Sequence, residues 1–511
     1  MWRIEMTDWR QIAILFLIAT TPSIVRGQVV DRPFECFPPA FEASTLSFPL
    51  EGQADATLIP TDKATSDSSI GIARKTTSSA SSEKCKEEEK PYVIGSSLDL
   101  SGKVNNGGLQ FETANKDYRY HVGTLIQQDY AFFSQDQALE TLPGSGQGPA
   151  GGVGDLQDSV FFRRGRIRFD GVAHDVIEWD FDCELLANNT IAFDDLWVGM
   201  TNLPVLGNVR AGHVKIPMGI ESITSNRVFT FVERASMFDA FLPEYGPGIL
   251  AFDSYRDAKL TWAACAHRMD PTGNGTDSGD GQWNGTFRLT SLLYNSPDDR
   301  HYLHVGSAYS IRDDQGGTVR FRGRPEWRDT TTNASLNSRF VDTGDILASD
   351  YNLYQAEMAW VAGAFSFQTE SLYASVNSTN GNTETFNGGY AMVSYFLTGE
   401  SRPYDKRLGR FARLKPTESF FLTRRGANDP CSVGAFGRGA WELAARYSWT
   451  DLTAANVLGG VEEAMTVGVN WYWNYNFRMQ WNYIHTNRNA SNPASISGDV
   501  DAFVIRMSFD I

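Results

Sequence analysis

From about Asp117 to its last residue the chain repeats at a period of two. Trp441, Leu443, Ala445, Tyr447 and Trp449 alternate with Glu442, Ala444, Arg446 and Ser448, and Met465, Val467, Val469, Trp471 and Trp473 alternate with Thr466, Gly468, Asn470 and Tyr472. After Asn474-Tyr475-Asn476, a turn by composition, Phe477, Met479, Trp481 and Tyr483 alternate with Arg478, Gln480, Asn482 and Ile484. The chain closes on Phe503, Ile505, Met507, Phe509 and Ile511 against Ala502, Val504, Arg506, Ser508 and Asp510. Neighbouring side chains of a strand point to opposite faces, so each segment is expected to be a strand with one greasy and one polar face.

Two segments add charge to the pattern. In Phe161 to Phe169, FFRRGRIRF, the residues Phe161, Arg163, Gly165, Ile167 and Phe169 share one face, and Arg164, Arg166 and Arg168 share the other. In VIEWDFDCEL, Ile177, Trp179, Phe181, Cys183 and Leu185 alternate with Glu178, Asp180, Asp182 and Glu184. Joined by a turn near Asp170-Gly171, the two predict a hairpin whose polar face sets cations against anions across strands. Arg163 breaks the alternation. Either a bulge turns it to the polar face, or it stays on the apolar face and reaches an interface with its charged end.

A soluble β-sandwich also alternates, but it turns its apolar face inward and seldom needs so many aromatics at strand ends. With 13 Trp, 19 Tyr and 32 Phe, the pattern fits a transmembrane β-barrel better. There the apolar face meets lipid, aromatics gather at the two interfaces, and the polar face lines water. All backbone groups are then satisfied between strands. Roughly 395 residues at about 24 per strand and connection predict about 16 strands, wide enough for an aqueous channel. The fold class expected is all-β, a transmembrane antiparallel barrel embedded in lipid. The alternative is a secreted or surface all-β enzyme or carbohydrate-binding protein, with the aromatics lining a groove.

The start of the chain differs. Arg3 and Arg10, the apolar run Ile12 to Ala19 and Val25-Arg26-Gly27 predict a signal peptide over residues 1–27. A retained signal anchor is the other reading, although the run is shorter than the ~20 residues a spanning helix needs. Residues 28–115 read as a tether, with Thr61 to Lys90 too poor in large apolar residues to bury a core. Residues 116–511 are the expected barrel. Five cysteines without a CxxC spacing support neither a metal site nor redox chemistry, though Cys36 and Cys85 lie close enough in sequence to pair. A formal net charge of −16 argues against nucleic acid as a partner.

Several stretches resemble the phosphate-selective porin O and P family of bacterial outer membranes: Thr398 to Tyr404 (TGESRPY), Gly439 to Tyr447 (GAWELAARY), Gly468 to Tyr472 (GVNWY), the FRRGR…WDFDCEL hairpin and Gly212 to Glu221 (GHVKIPMGIE). The resemblance implies a 16-stranded homotrimer in the outer membrane, passing small anions such as phosphate through a constriction lined by arginine and lysine, with no cofactor and no catalysis. Carried over by motif, Arg163 and Arg164 match the arginine pair that contacts the anion, Asp194 in FDDLWV matches an acidic residue beside the constriction, and Arg227 matches a basic position after the Gly-Ile-Glu turn. Ser222 stands where the phosphate pores carry lysine, Arg166 where they carry tyrosine, and Lys215 where they carry an aromatic. The expected pore-lining set is therefore Arg163, Arg164, Arg166, Arg168, Lys215, Arg227 and Asp194. A competing reading is that Glu178, Asp180, Asp182 and Glu184 neutralise Arg164, Arg166 and Arg168 into a structural charge ladder.

Other signals are weaker. Gly146 to Gly154 lacks the Lys-Ser or Lys-Thr of a phosphate cradle and reads as a loop. Asn274 to Asp280 misses the spacing of a calcium loop. His301 and His304 have no third ligand nearby. Asp194 and Asp195, as strand neighbours, are expected on opposite faces, which prevents shared work on one bond. Asn284-Gly285-Thr286 is an acceptor sequence for N-glycans only in a eukaryotic secretory route.

Overall fold

The computed structural model describes residues 100–511 apart from 106–107, 142–150, 188–189, 243, 257–258, 270–282, 314–316, 329–337 and 421–436. The expectations for the signal peptide, for most of the tether, for Cys36, Cys85 and Cys431, and for Asn274 to Asp280 lie outside the described residues. Two short strands come first, β1 (Leu100–Asn105) and β2 (Gly108–Thr113). There follow β3 (Tyr118–Gln135), β4 (Ser159–Ala173), β5 (Ile177–Ala187), β6 (Thr190–Leu203), β7 (Gly207–Lys215), β8 (Tyr245–Tyr255), β9 (Leu260–His267) and β10 (Asn284–Asn295). The remaining strands longer than two residues are β11 (His301–Asp313), β12 (Ile346–Ala362), β13 (Phe365–Ser378), β14 (Thr383–Phe396), β15 (Ala440–Ala454), β16 (Val457–Tyr472), β17 (Phe477–Asn489) and β18 (Gly498–Asp510).

Strands β3 to β18 pair antiparallel, each with the next, and β18 returns to β3 with Val500 opposite Gln135 and Asp510 opposite Leu125. Sixteen strands thus close without a free edge. The last residue completes the seam, Ile511 and Thr124 exchanging two backbone hydrogen bonds of 3.0 Å. Closure is what hydrocarbon demands, because an unpaired amide there has no water to bond. Below the point where β18 stops, β2 takes over the edge of β3, pairing Leu109 with Val122 through Glu112 with Arg119. Strands β1 and β2, in a stretch expected to be part of the tether, therefore extend the wall.

The period of two decides the faces. On β16 Met465 and Val467 are 55 % and 45 % exposed, whereas Thr466 between them is fully buried. Leu443, Tyr447 and Phe509 likewise face outward, and Glu442, Arg446, Gln480 and Arg506 face the lumen, buried. Trp441, Trp471 and Trp481 stack on the outer face near one end of the barrel, with ring centroids 4.8 Å apart for the first pair and 6.4 Å for Trp441 and Trp481. Such a belt suits indole rings, apolar in body and polar at one edge.

Two further expectations about the wall need correction. The β4–β5 turn is not at Asp170-Gly171 but at 174–176, where His174 and Asp175 take φ of 51° and 59° and Val176 donates to the Ala173 carbonyl. Both strands are longer than the charge pattern suggested, and Asp170 lies opposite Asp180. The lumen, expected to be polar throughout, is apolar over part of β12 to β14. There Leu353, Leu372, Val376 and Phe386 pack under Phe231, Phe238 and Phe241 of the 216–244 connection. The polar-in rule fails where a loop, not water, covers the wall.

Val467 lies near the middle of β16 on the outer face. Val467→Arg is expected to destabilise the barrel by about 2–4 kcal/mol, read by chemical unfolding in lipid vesicles. An effect below about 0.5 kcal/mol, the ordinary surface value, would place this face in water.

Candidate functional site: the lumen between β4 and β8

Three connections turn into the barrel. The first, 216–244, carries the short helices α1 (Ile220–Ile223) and α2 (Ser236–Phe241). The second, within 317–345, brings Glu326 to Arg446 at 2.5 Å and to the Ser448 hydroxyl at 2.6 Å, all on the far wall. The third, within 397–414, enters from the end where the other turns are short. It is fixed by Arg402 on Glu442, by the Tyr404 hydroxyl 2.7 Å from His304 Nδ1, and by Arg410 donating to the Ile223 carbonyl. His304, left without a role by the sequence, is thus a structural partner that also sits 2.9 Å from Glu357. The remaining space runs beside β4 to β8.

Along β4 the chain inserts one extra residue. Gln127 pairs with Arg164 and Gln128 with Phe162, leaving Arg163 unpaired in the ladder. This bulge settles the position of Arg163, which turns inward beside Arg164, the two only 8 % and 4 % exposed. It also shifts the phase of everything above it. Phe161, expected outside, is buried in the lumen, and Phe162 is the residue that faces out at 51 % exposure. Arg163 donates to Glu233 at 2.7 and 3.2 Å, Arg164 reaches the same carboxylate at 3.4 Å, and Arg506 reaches it at 3.0 Å. Burial pushes the Glu233 carboxyl up, but Arg163, Arg164 and Arg506 outweigh it and hold it well below the usual carboxylate range.

A second bulge acts on β6. Phe181 pairs with Leu196 but Cys183 with Phe193, so Asp182 faces two residues instead of one. Asp194 and Asp195 are consequently both on the lumen side, contrary to the strict alternation expected of strand neighbours. They do different work there. Asp194 ion-pairs with Arg166, while Asp195 accepts from Trp197 Nε1 at 2.9 Å and from the Tyr245 hydroxyl at 3.4 Å.

The other cations named from the sequence are paired as well. Arg166 donates to Glu184 at 3.0 Å, and Arg168 holds Asp180 at 2.6 and 2.9 Å and Asp170 at 3.2 Å. Lys215 lies 2.8 Å from Glu244, and Arg227 bridges Asp182 at 3.4 Å and Asp510 at 3.2 Å. The ladder reading therefore holds for Arg166 on Glu184 and Arg168 on Asp180 only, since Arg164 is held by Glu233, Asp182 by Arg227, and Glu178 by Arg210 and Arg407; all seven residues are brought into one strip of lumen.

Sequence reading missed a further row, Arg320, Arg322, Arg324 and Arg328 in VRFRGRPEWR, although the alternation was visible there. Arg324, Arg328 and Arg339 gather on Asp239 of α2 at 3.1, 3.8 and 2.5 Å. Burial raises the Asp239 carboxyl and the three guanidinium groups more than reverse it, so its pKa is lowered. One cavity of about 200 Å³ lies among Arg163, Arg164, Arg234, Arg324, Arg328, Glu233 and Asp239. Another, of about 340 Å³, lies on the short-turn side. Among the described residues no group of three or more His, Cys, Asp or Glu is arranged to hold a metal ion.

The sequence profile of phosphate-selective porin O and P matches residues 145–511. The chain belongs to that family. This porin is 24 % identical over 433 residues to Porin O of Pseudomonas aeruginosa, covering 79 % of its own length and 91 % of the relative's. It is 28 % identical over 326 residues to an uncharacterised protein of Caulobacter vibrioides, covering 63 % of itself but only 61 % of that chain. Among solved structures, the anion-selective porin of Comamonas acidovorans superposes over 77 % of this chain and 100 % of the other, with 9 % identity and a TM-score of 0.45. Membership of that family places this porin in the bacterial outer membrane.

Because Glu233 and Asp239 titrate below their unfolded values, their hold on the inward connections is complete above the ordinary carboxylate range and lost only as pH falls through the depressed values. Hydrogen exchange of residues 231–241 is expected to stay slow between pH 5 and 8 and to rise only below about pH 4. A rise centred near pH 6 would contradict this assignment.

Proposed function

We propose that this porin is a homotrimeric, water-filled outer-membrane channel for passive diffusion of small anions or small polar solutes, and that Arg163, Arg164, Arg166, Arg168, Lys215, Arg227 and Asp194 line its path. The observation that carries the anion preference is the outer chamber. Five guanidinium groups (Arg163, Arg164, Arg234, Arg324, Arg328) meet three carboxylates (Glu233, Asp239, Glu244) around it. Arg328 is 46 % exposed, so its charge is available to a passing solute. Guanidinium forks replace part of an oxyanion's hydration shell, which is what an anion needs to cross a layer whose core excludes ions. Because most of these charges are already paired within the protein, the preference is for anions in general and weak for phosphate in particular. The trimeric state is what membership of the family suggests.

Planar-bilayer recordings test the reading. The unmutated channel is expected to show a reversal potential favouring chloride over potassium, and Arg324→Ala with Arg328→Ala to move it toward cation preference by tens of millivolts at a tenfold salt gradient, where full selectivity corresponds to about 59 mV. Cation preference in the unmutated channel, or no shift in the double variant, would refute it.

A further inference from the structure

The cavity on the short-turn side differs in kind from the outer one. Its β4 to β6 wall carries Asp170, Glu178, Asp180, Asp182 and Asp195 against two guanidinium groups, Arg166 and Arg168. The remaining lining is the reverse. Arg210 and Lys215 of β7, Arg227 of the first inward connection and Arg407 and Arg410 of the third stand against one carboxylate, Asp405. The chamber is nearly neutral in sum, with an acidic side and a basic side. The two sides meet where Arg227 reaches Asp182 at 3.4 Å and where Arg407 and Arg210 reach Glu178 at 3.2 and 3.6 Å.

Two acceptors in the wall have nothing to accept. Asp182 is 4 % exposed and Asn226 is 5 % exposed; the Oδ1 atoms of both are buried without a hydrogen-bond partner, and both residues line this chamber. A buried acceptor left unmade costs about 1–3 kcal/mol, more for a charged group. What would satisfy both is a donor rich in N–H groups and positively charged. The basic side supplies the complement, since Arg407 is 46 % and Arg410 32 % exposed at the side chain, with guanidinium surface to spare for a carboxylate.

We infer that this chamber is a binding subsite for small zwitterions of the amino-acid class, the ammonium group seated against Asp182 and Asn226 and the carboxylate against Arg407 and Arg410. The volume, about 340 Å³, lies at the small end of the ~300–1,000 Å³ typical of ligand sites. The inference rests on the channel reading and names a solute class within it. An anion that leaves the outer chamber gains little here, because its charge meets the acidic wall as it meets the basic one. A solute with both charges gains at both ends.

The test uses the full chain in planar bilayers, with potassium chloride current establishing the open channel. Alanine as zwitterion, lactamide as uncharged counterpart and lactate as anion are added from the short-turn side. Alanine is expected to reduce the current saturably, at a half-effect concentration about tenfold below those of lactamide and lactate, since one good ionic contact gives a difference of that order. Asp182→Asn and, separately, Asn226→Ala are expected to raise that concentration by about threefold to tenfold for alanine and to leave the lactate response in place. Asn226 lies on an inward connection, so its variant tests the site without altering the barrel wall. Equal effects of the three solutes, or an alanine response that survives both variants, would overturn the inference while leaving the channel standing. No chloride current at all would remove the channel and the subsite together.

Discussion

Everything in this molecule depends on backbone amides having no partner in hydrocarbon except one another. That constraint forces the strands into a closed ring, and the ring in turn forces every second side chain outward. The seam shows how far the requirement reaches: Ile511 pairs with Thr124, and where β18 ends the β1–β2 hairpin continues the edge of β3. Given that ring, Val467 and Met465 must be greasy and Thr466 need not be. The charged residues can then be spent inside.

Once inside, charge is not left open. The lumen strip beside β4 to β8 is a fabric of ion pairs, from Arg163 on Glu233 to Arg227 between Asp182 and Asp510. A guanidinium row alone would repel itself across adjacent strands, and the carboxylates of β5 and β6 remove that repulsion while holding each side chain in place. The net field is consequently set by small local excesses. Basic groups exceed acidic ones around Asp239, and the two are nearly balanced in the chamber below. Function follows from where the excess lies more than from how many arginines there are.

The sequence made the wall legible because period two is a property of the wall. Trp441 to Trp449, Met465 to Trp473 and Phe503 to Ile511 all lie as their alternation requires, and Arg166 stands opposite Glu184 as the opposed charges suggested. The break at Arg163 left a bulge as one of two readings, whereas the insertion at Asp194-Asp195 escaped altogether. The bulges at Arg163 and at Asp194-Asp195 each put two consecutive side chains on one face, and no composition marks them. The inward connections escaped for a different reason. Apart from the short alternation at Arg320 to Arg324 they have no period, and their contacts, such as Glu326 with Arg446 or Tyr404 with His304, join residues about a hundred positions apart. The apolar patch of β12 to β14 is the visible trace of those connections on the wall.

The central claim is that the greasy rows face lipid and the loops fill the lumen. It is tested most directly by quenching with brominated acyl chains in vesicles, using variants that retain a single tryptophan. Trp481 stacks on the outer face, and Trp327, 4 % exposed, packs inside on Phe133 and Phe340. The account predicts strong quenching when only Trp481 remains and almost none when only Trp327 does. Equal quenching of the two, or none of Trp481, would contradict it.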